Sequence, residues 1–199
     1  MHFQKLDNLK NESLNKKIFF FITKNLKDTI FNLFGYKFFR TIYLENNYKN
    51  IFFYNKGDQL LILISYINPE SELKLKKQMI KYLLSNPIKI VLLLKNIKFL
   101  FKSSKNPINY IQLLHFIIDK SIITKINKIF RDNKINGLHK KFISKKFRGI
   151  YAAYSNENIA AKKYYKRNKF TIYNKNLFFS FVKKNLVNFF MIDFIIAKK

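Results

Sequence analysis

The chain has 199 residues, 39 of them Lys or Arg and 11 Asp or Glu, for a net charge of +28 with histidines neutral, and it contains no Cys and no Trp. Without cysteine there is no disulfide framework, thiolate zinc site or cysteine nucleophile, and three scattered histidines (His2, His115, His139) do not make a histidine-built metal centre. At 48% apolar and 18% aromatic residues, the chain can bury enough surface to offset its ordering entropy, so its charge does not signal disorder.

Residues 18–22, a short aromatic and β-branched run, read as a first strand. Residues 24–33 and 36–44 place Leu26, Ile30, Leu33, Phe34, Phe38, Phe39 and Ile42 at near-helical spacing around Gly35, which predicts two short helices with a turn between them. Residues 50–55 and 59–67 are apolar runs separated by Lys56, Gly57 and Asp58, a hairpin signal. Asn68, Pro69, Glu70 and Ser71 open a helix: Pro suits a first turn, Ser or Asn caps it, and Glu70 and Glu72 favour the positive end of the dipole. Leu73, Met79, Ile80, Leu83 and Leu84 are expected to form its buried side.

Residues 88–101 are apolar on every side and predict a further helix, followed by a loop at 103–107. Residues 108–119 form a long β-branched and apolar run, the best candidate for a central strand. Residues 122–147 are helical in tendency but change phase, with Ile122, Ile126, Ile129 and Phe130 on one face and Ile135, Leu138 and Phe142 on another. Residues 149–154 read as a strand, 156–168 as a short helix, and 170–174, 177–182 and 189–196 as terminal strands. There is no internal repeat and no long linker, so residues 1–199 are expected to form a single domain.

Lys supplies 35 of the 39 basic residues, and Lys, Asn, Ile, Phe, Tyr and Met together make up 125 of 199. These types share A/T-rich codons, so the charge reads first as a biased solvated surface and second as a nucleic-acid face. Phosphate attraction through counterion release still operates, but with four Arg it is expected to be weak and non-specific. The most apolar stretches, residues 59–67, 88–101 and 186–197, fall short of ~20 uninterrupted apolar residues. The run at 18–22 is too short and too late for a signal peptide. The expectation is a cytoplasmic protein without a membrane span.

One segment carries chemistry. Between the strand at 149–154 and Phe170 stand Asn158, Ala161 and Tyr165, at positions i, i+3 and i+7 of a helix, so an amide, a small gap and a phenol would share one face. This strand, helix and Phe-led strand resemble the signature of the GNAT superfamily of N-acetyltransferases, Asn-x-x-Ala-x-x-x-Tyr-x-x-x-Gly-Phe, with Lys169 in place of the glycine. The upstream order of elements is also similar to that family, with residues 86–107 as an insertion.

The resemblance implies a mixed α/β fold: a twisted, mostly antiparallel sheet of about seven strands flanked by helices, splayed between the strands at 108–119 and 149–154. It implies acetyl-CoA as co-substrate, entering that gap, with a primary amine of a small molecule or amino-sugar as acceptor; a homodimer is compatible with it. The family's pyrophosphate loop falls directly after the central strand, on Thr124, Lys125, Ile126 and Asn127, or in a second register on Arg131 to Gly137. The first keeps strand, loop and helix contiguous and is preferred, although it contains no glycine. Main-chain N–H groups around Phe116, Ile117 and Ile118 would hold and polarise the thioester, Asn158 and Ala161 would flank it, and Tyr165 would be the general acid. His115 or Asp119 would be the base. A non-catalytic GNAT-like or basic nucleic-acid-binding module stands as the alternative.

Overall fold

The computed structural model describes residues 2–26, 30–86, 109–123, 128–142, 147–155, 158–182 and 186–198. A two-residue strand, β1 (Gln4–Lys5), precedes α1 (Glu12–Asn25). Asn11 caps α1 by accepting a hydrogen bond from the Leu14 N–H at 3.0 Å, and Glu12 occupies the first turn, where the dipole favours an acid. Residues 18–22, expected to be a strand, lie inside this helix. Their β-branched and aromatic character is local, whereas Leu14, Ile18, Phe21 and Ile22 repeat at helical spacing from the capped end. Ile18, Phe21 and Ile22 are buried, and Phe20 is left exposed.

The turn expected at Gly35 is present as a kink within α2 (Ile30–Phe38), where Gly35 has φ 79°. A side chain there would be strained, and glycine is not. A π-helical turn (Phe39–Leu44), a short α turn (Glu45–Asn47) and a 3₁₀ turn (Tyr48–Asn50) follow. The expected hairpin is β2 (Ile51–Lys56) and β3 (Gln59–Ile67). α3 (Pro69–Leu84) opens as its sequence requires, the Asn68 side chain accepting from the Ser71 N–H at 2.7 Å. Its buried face is a correction: Met79 and Leu83 are buried beside partly buried Leu75 and Tyr82, while Leu73, Ile80 and Leu84 are exposed. Positions 75, 79, 82 and 83 form the tighter stripe and win the core. The helix expected over 88–101 and the loop at 103–107 lie outside the described residues.

The remaining elements are β4 (Tyr110–Ile118), α4 (Lys120–Ile123), α5 (Lys128–Phe142), β5 (Gly149–Ser155), α6 (Ile159–Arg167), β6 (Thr171–Val182) and β7 (Leu186–Lys198). Two long terminal strands stand where three short ones were expected. The β6–β7 ladder absorbs Tyr173 as an extra residue between the Ile172 and Asn174 pairs, so β6 continues through the polar Asn174 to Asn176 segment.

The seven strands form one sheet in the order β1-β2-β3-β4-β5-β7-β6, antiparallel throughout except for the parallel pair β4–β5. One face buries Ile51, Phe53, Leu60, Leu63 and Ile117 against α1, α2, the π-helical turn and α3. The other buries Ile62, Ile64, Tyr66, Ile111, Leu113, Ile150 and Ala152 against Ile122, Ile135 and Leu138 and against the α6 tyrosines Tyr164 and Tyr165. Among the described residues no helix is long and apolar enough to cross a membrane.

The exit from α6 shows how the chain manages without the glycine of the signature. Lys169 adopts φ 60°. Its N–H bonds the Lys166 carbonyl at 3.2 Å, the Phe170 N–H bonds the Tyr165 carbonyl at 3.0 Å, and the rings of Phe170 and Tyr165 meet at 4.9 Å. This is a Schellman ending with its hydrophobic contact, made with a lysine in the left-handed position. Lys169→Gly is expected to raise the unfolding free energy by about 1 kcal/mol, the order of the left-handed penalty of an L side chain, and Lys169→Ala to leave it unchanged. Urea unfolding of the three proteins is the measurement.

Candidate active site

The site is built on an irregularity in β4. Along the β3–β4 ladder Ser65 pairs with His115 and Tyr66 with Leu113, so Leu114 is an extra residue on β4. Such a bulge bends and twists its strand. On the other edge of β4, the pairs with β5 run from Tyr110 and Gly149 to Leu113 and Ala152 and end there, at the bulge. Beyond that point β4 continues to Ile118 on β3 and β5 continues to Ser155 on β7. Phe116, Ile117 and Ile118 therefore carry a β5-facing edge of backbone that β5 does not ladder.

α6 lies across this parting. Asn158 caps it by accepting from the Ala161 N–H at 3.0 Å, and Ala161 packs on the second core cluster. Tyr164 and Tyr165 are both buried. The Tyr164 ring meets Phe116 of β4 at 4.7 Å, the Tyr165 ring meets Tyr154 of β5 at 5.3 Å, and the two tyrosines touch at 5.3 Å, so four rings span from one strand to the other. Burial, then the neighbouring Tyr154 phenol, pushes the Tyr165 hydroxyl well above its ordinary value. It is thereby held as the neutral phenol, the form that can donate a proton.

The Tyr164 hydroxyl is tied into a buried chain: it meets His139 Nε2 at 3.3 Å, and His139 Nδ1 meets the Tyr66 hydroxyl at 2.6 Å. Sequence reading set His139 aside as scattered. The one signal for it is its place beside Leu138 and one turn after Ile135 on α5, both of them buried. α5 and α6 are further joined by Arg167 bonded to Asp132 and by Asn136 Nδ2 donating to Asn168 Oδ1 at 2.7 Å.

His115 sits on the opposite face. Its Nδ1 meets the Tyr43 hydroxyl at 3.0 Å and the Ser65 hydroxyl at 2.9 Å, within the cluster covered by α1 to α3. Burial pushes the Tyr43 phenol up to about 12 and lowers both imidazoles, His115 and His139, to about 4. Tyr165 and His115 thus flank the sheet from its two sides and do not touch. Asp119 follows β4 directly, its N–H bonding the Leu61 carbonyl at 2.8 Å and its carbonyl accepting from Ile122 N–H at 3.2 Å.

Lys120 begins α4 immediately after Asp119. Thr124, Lys125, Ile126 and Asn127 lie outside the described residues. The second register is corrected: Arg131 to Gly137 are inside α5, where a helical backbone has committed its N–H groups to its own ladder. Among the described residues no group of three or more His, Asp or Glu is placed to hold a metal ion.

No protein-family model and no curated protein matches the sequence. Solved structures do match. Ribosomal-protein-alanine N-acetyltransferase from Brucella melitensis superposes with a TM-score of 0.56 at 8% identity, covering 100% of both chains. An N-acetyltransferase from Staphylococcus aureus Mu50 gives 0.55 at 12%, covering 99% of this chain and 97% of that one. Arabidopsis thaliana NAA60 in complex with acetyl-CoA gives 0.55 at 13%, covering 100% and 99%. At these identities the likeness is one of fold.

The two imidazoles give the site a pH signature. Unfolded, each takes up its proton near 6.5; folded, each holds off until about 4. Stability is thus full above pH 6.5 and falls as the pH drops from 6.5 to 4, by up to about 3 kcal/mol per imidazole. The groups facing them are the Tyr43 and Ser65 hydroxyls for His115 and the Tyr66 and Tyr164 hydroxyls for His139, none of them a carboxylate. Urea midpoints at pH 7.5, 5.5 and 4.5 should decline in that order, and a His115→Gln, His139→Gln double variant should show a flatter decline.

Proposed function

We propose that this chain, which has the fold of the GNAT superfamily, is an N-acetyltransferase that moves the acetyl group of acetyl-CoA to a primary amine. The observation that carries the reading is the end of the β4–β5 ladder at Leu113 and Ala152 with Tyr165 of α6 laid over the parting. An extended thioester arm in that parting meets the unladdered edge of β4, where N–H groups around Phe116, Ile117 and Ile118 hold it and polarise its carbonyl.

In the reaction, the amine attacks the thioester carbonyl and forms a C–N bond. The tetrahedral oxygen is stabilised by the β4 N–H groups, and its collapse breaks the C–S bond. Tyr165 gives its phenolic proton to the leaving thiolate, and the proton lost from nitrogen passes to a base, restoring the balance. Asp119, at the end of β4, is the candidate for that base, directly or through water; His115, the other residue expected for it, is buried on the opposite face against the Tyr43 and Ser65 hydroxyls and serves the fold instead. Asn158 and Ala161 border the arm from α6. Thr124, Lys125, Ile126 and Asn127 take the pyrophosphate, where Lys120, Lys125 and Lys128 supply by charge what a glycine cradle would supply by main-chain amides.

A small-molecule amine or amino-sugar is the acceptor that the family resemblance implies. The names of similar structures, among them the ribosomal-protein-S18-alanine N-acetyltransferase of Escherichia coli (TM-score 0.53, 8% identity, covering 100% of this chain and 95% of that one), favour a peptide α-amine as the second reading. A panel of amino-sugars, polyamines and peptides with free N-termini, assayed by release of the coenzyme thiol, separates the two.

Tyr165→Phe is expected to lower turnover about 10²-fold with the acetyl-CoA dissociation constant little changed; unchanged turnover where chemistry limits the rate removes Tyr165 from the acid role. Because charge contacts open to solvent are screened over ~10 Å at 0.1 M salt, acetyl-CoA affinity held by lysine charge should fall as salt rises. Lys125→Ala should weaken binding by about 1 kcal/mol and flatten that dependence in calorimetric titrations.

A further inference from the structure

We infer that His139 and Tyr66 are the positioning residues of the α6 tyrosine pair, holding Tyr164 against β4 so that Tyr165 is the phenol presented to the reacting thioester. The inference rests on the acyltransferase reading above.

α6 carries two adjacent tyrosines, separated by about 100° around the helix. Both rings lie at the parting of the strands, Tyr164 on Phe116 of β4 and Tyr165 on Tyr154 of β5. By chemistry alone either phenol could donate a proton. The structure distinguishes them by what holds the hydroxyls. The Tyr164 hydroxyl is engaged by His139 Nε2, and the other imidazole nitrogen is engaged by Tyr66. A neutral imidazole has one donor and one acceptor nitrogen, so one phenol donates to the ring and the other accepts from it, whichever tautomer is present. The result is one continuous hydrogen-bonded chain from β3 through α5 to α6.

That chain is the first contact of a polar seam. On α5, Asp132, Asn136 and His139 recur at i, i+4 and i+7; they meet Arg167 of α6, Asn168 just beyond its end, and Tyr164 of α6. The Asp132 and Asn136 contacts fix the C-terminal end of α6. Of these three contacts from α5, the His139 contact is the one made to a hydroxyl of the tyrosine pair, and through it α5 bears on the rotation of α6 over the parting. Burial of all four groups, Tyr66, His139, Tyr164 and Tyr165, makes each lost hydrogen bond costly to replace. Displacing a donor by ~1 Å can cost up to about 10²-fold in rate, so a change at His139 is felt at Tyr165 without either residue touching the other's substrate contacts.

The test is steady-state kinetics of His139→Leu, His139→Gln and Tyr66→Phe beside Tyr165→Phe, with the acceptor that the panel identifies. His139→Leu keeps the volume and loses both bonds; kcat is expected to fall about 10-fold, with KM for acetyl-CoA within about twofold. His139→Gln keeps a donor and an acceptor and should recover kcat to within about threefold of wild type. Adding Tyr165→Phe to His139→Leu should cost less than adding it to wild type, because the acid is already misplaced. Tyr66→Phe removes one oxygen and no carbon, so it folds even if His139→Leu does not, and should lower kcat about threefold at unchanged KM.

Full kcat in folded His139→Leu or Tyr66→Phe overturns the inference alone, as does a loss that His139→Gln fails to rescue or that adds fully to Tyr165→Phe. A wild-type protein that neither binds acetyl-CoA nor releases its thiol with any amine overturns the functional reading, and this inference with it.

Discussion

One extra residue, Leu114 on β4, is the constraint from which the rest of the site follows. A residue that cannot join the β3–β4 ladder forces β4 to bend, and the bend coincides with the last β4–β5 pair. A bend in a central strand must be held from both faces, since it interrupts the hydrogen bonding that would otherwise stiffen the sheet. The two β3 residues opposite the shift, Ser65 and Tyr66, point to opposite faces, and each is hydrogen-bonded to a buried histidine, His115 on one side and His139 on the other. The two histidine networks are clamps on the same irregularity.

The clamps work because the imidazoles are neutral. The groups that face each imidazole are hydroxyls, and the desolvation of a charged ring would cost more than they return, so burial lowers both to about 4. In a chain of net charge +28, both clamps are built from phenols, a hydroxyl and uncharged imidazole. The abundance of tyrosine matters here: Tyr43, Tyr66 and Tyr164 each combine a large buried ring with a hydroxyl that completes a clamp.

On the α6 side the same economy of means applies. Lys169 takes a left-handed position that favours glycine, and the exit holds because the two main-chain bonds and the Phe170 to Tyr165 ring contact outweigh the strain of one lysine. The contact also steadies Tyr165 from below, while Tyr154 and Tyr164 pack its flanks. Phe170 therefore both completes the end of the helix and frames the phenol.

Sequence alone determined the features that a few neighbouring residues decide. Asn11 was not singled out, but Asn68 and Pro69, the hairpin at Gly57, the kink at Gly35, and the strand, helix and strand around Asn158, Ala161 and Tyr165 were legible, because caps, turns and short periods are local hydrogen-bond and steric problems. Residues 18–22 were misread since a five-residue window holds too little of a 3.6-residue period to outweigh β-branched composition. Tertiary structure decided the rest. The bulge at Leu114 exists only in the register of β4 on β3, and Tyr43 finds His115 across 72 positions and Tyr66 finds His139 across 73. Such partners are set by strand order and by which helix covers which face, and no local pattern encodes them; a lone histidine in an apolar stretch carries the same sequence signal whether it fills a core or positions a proton donor.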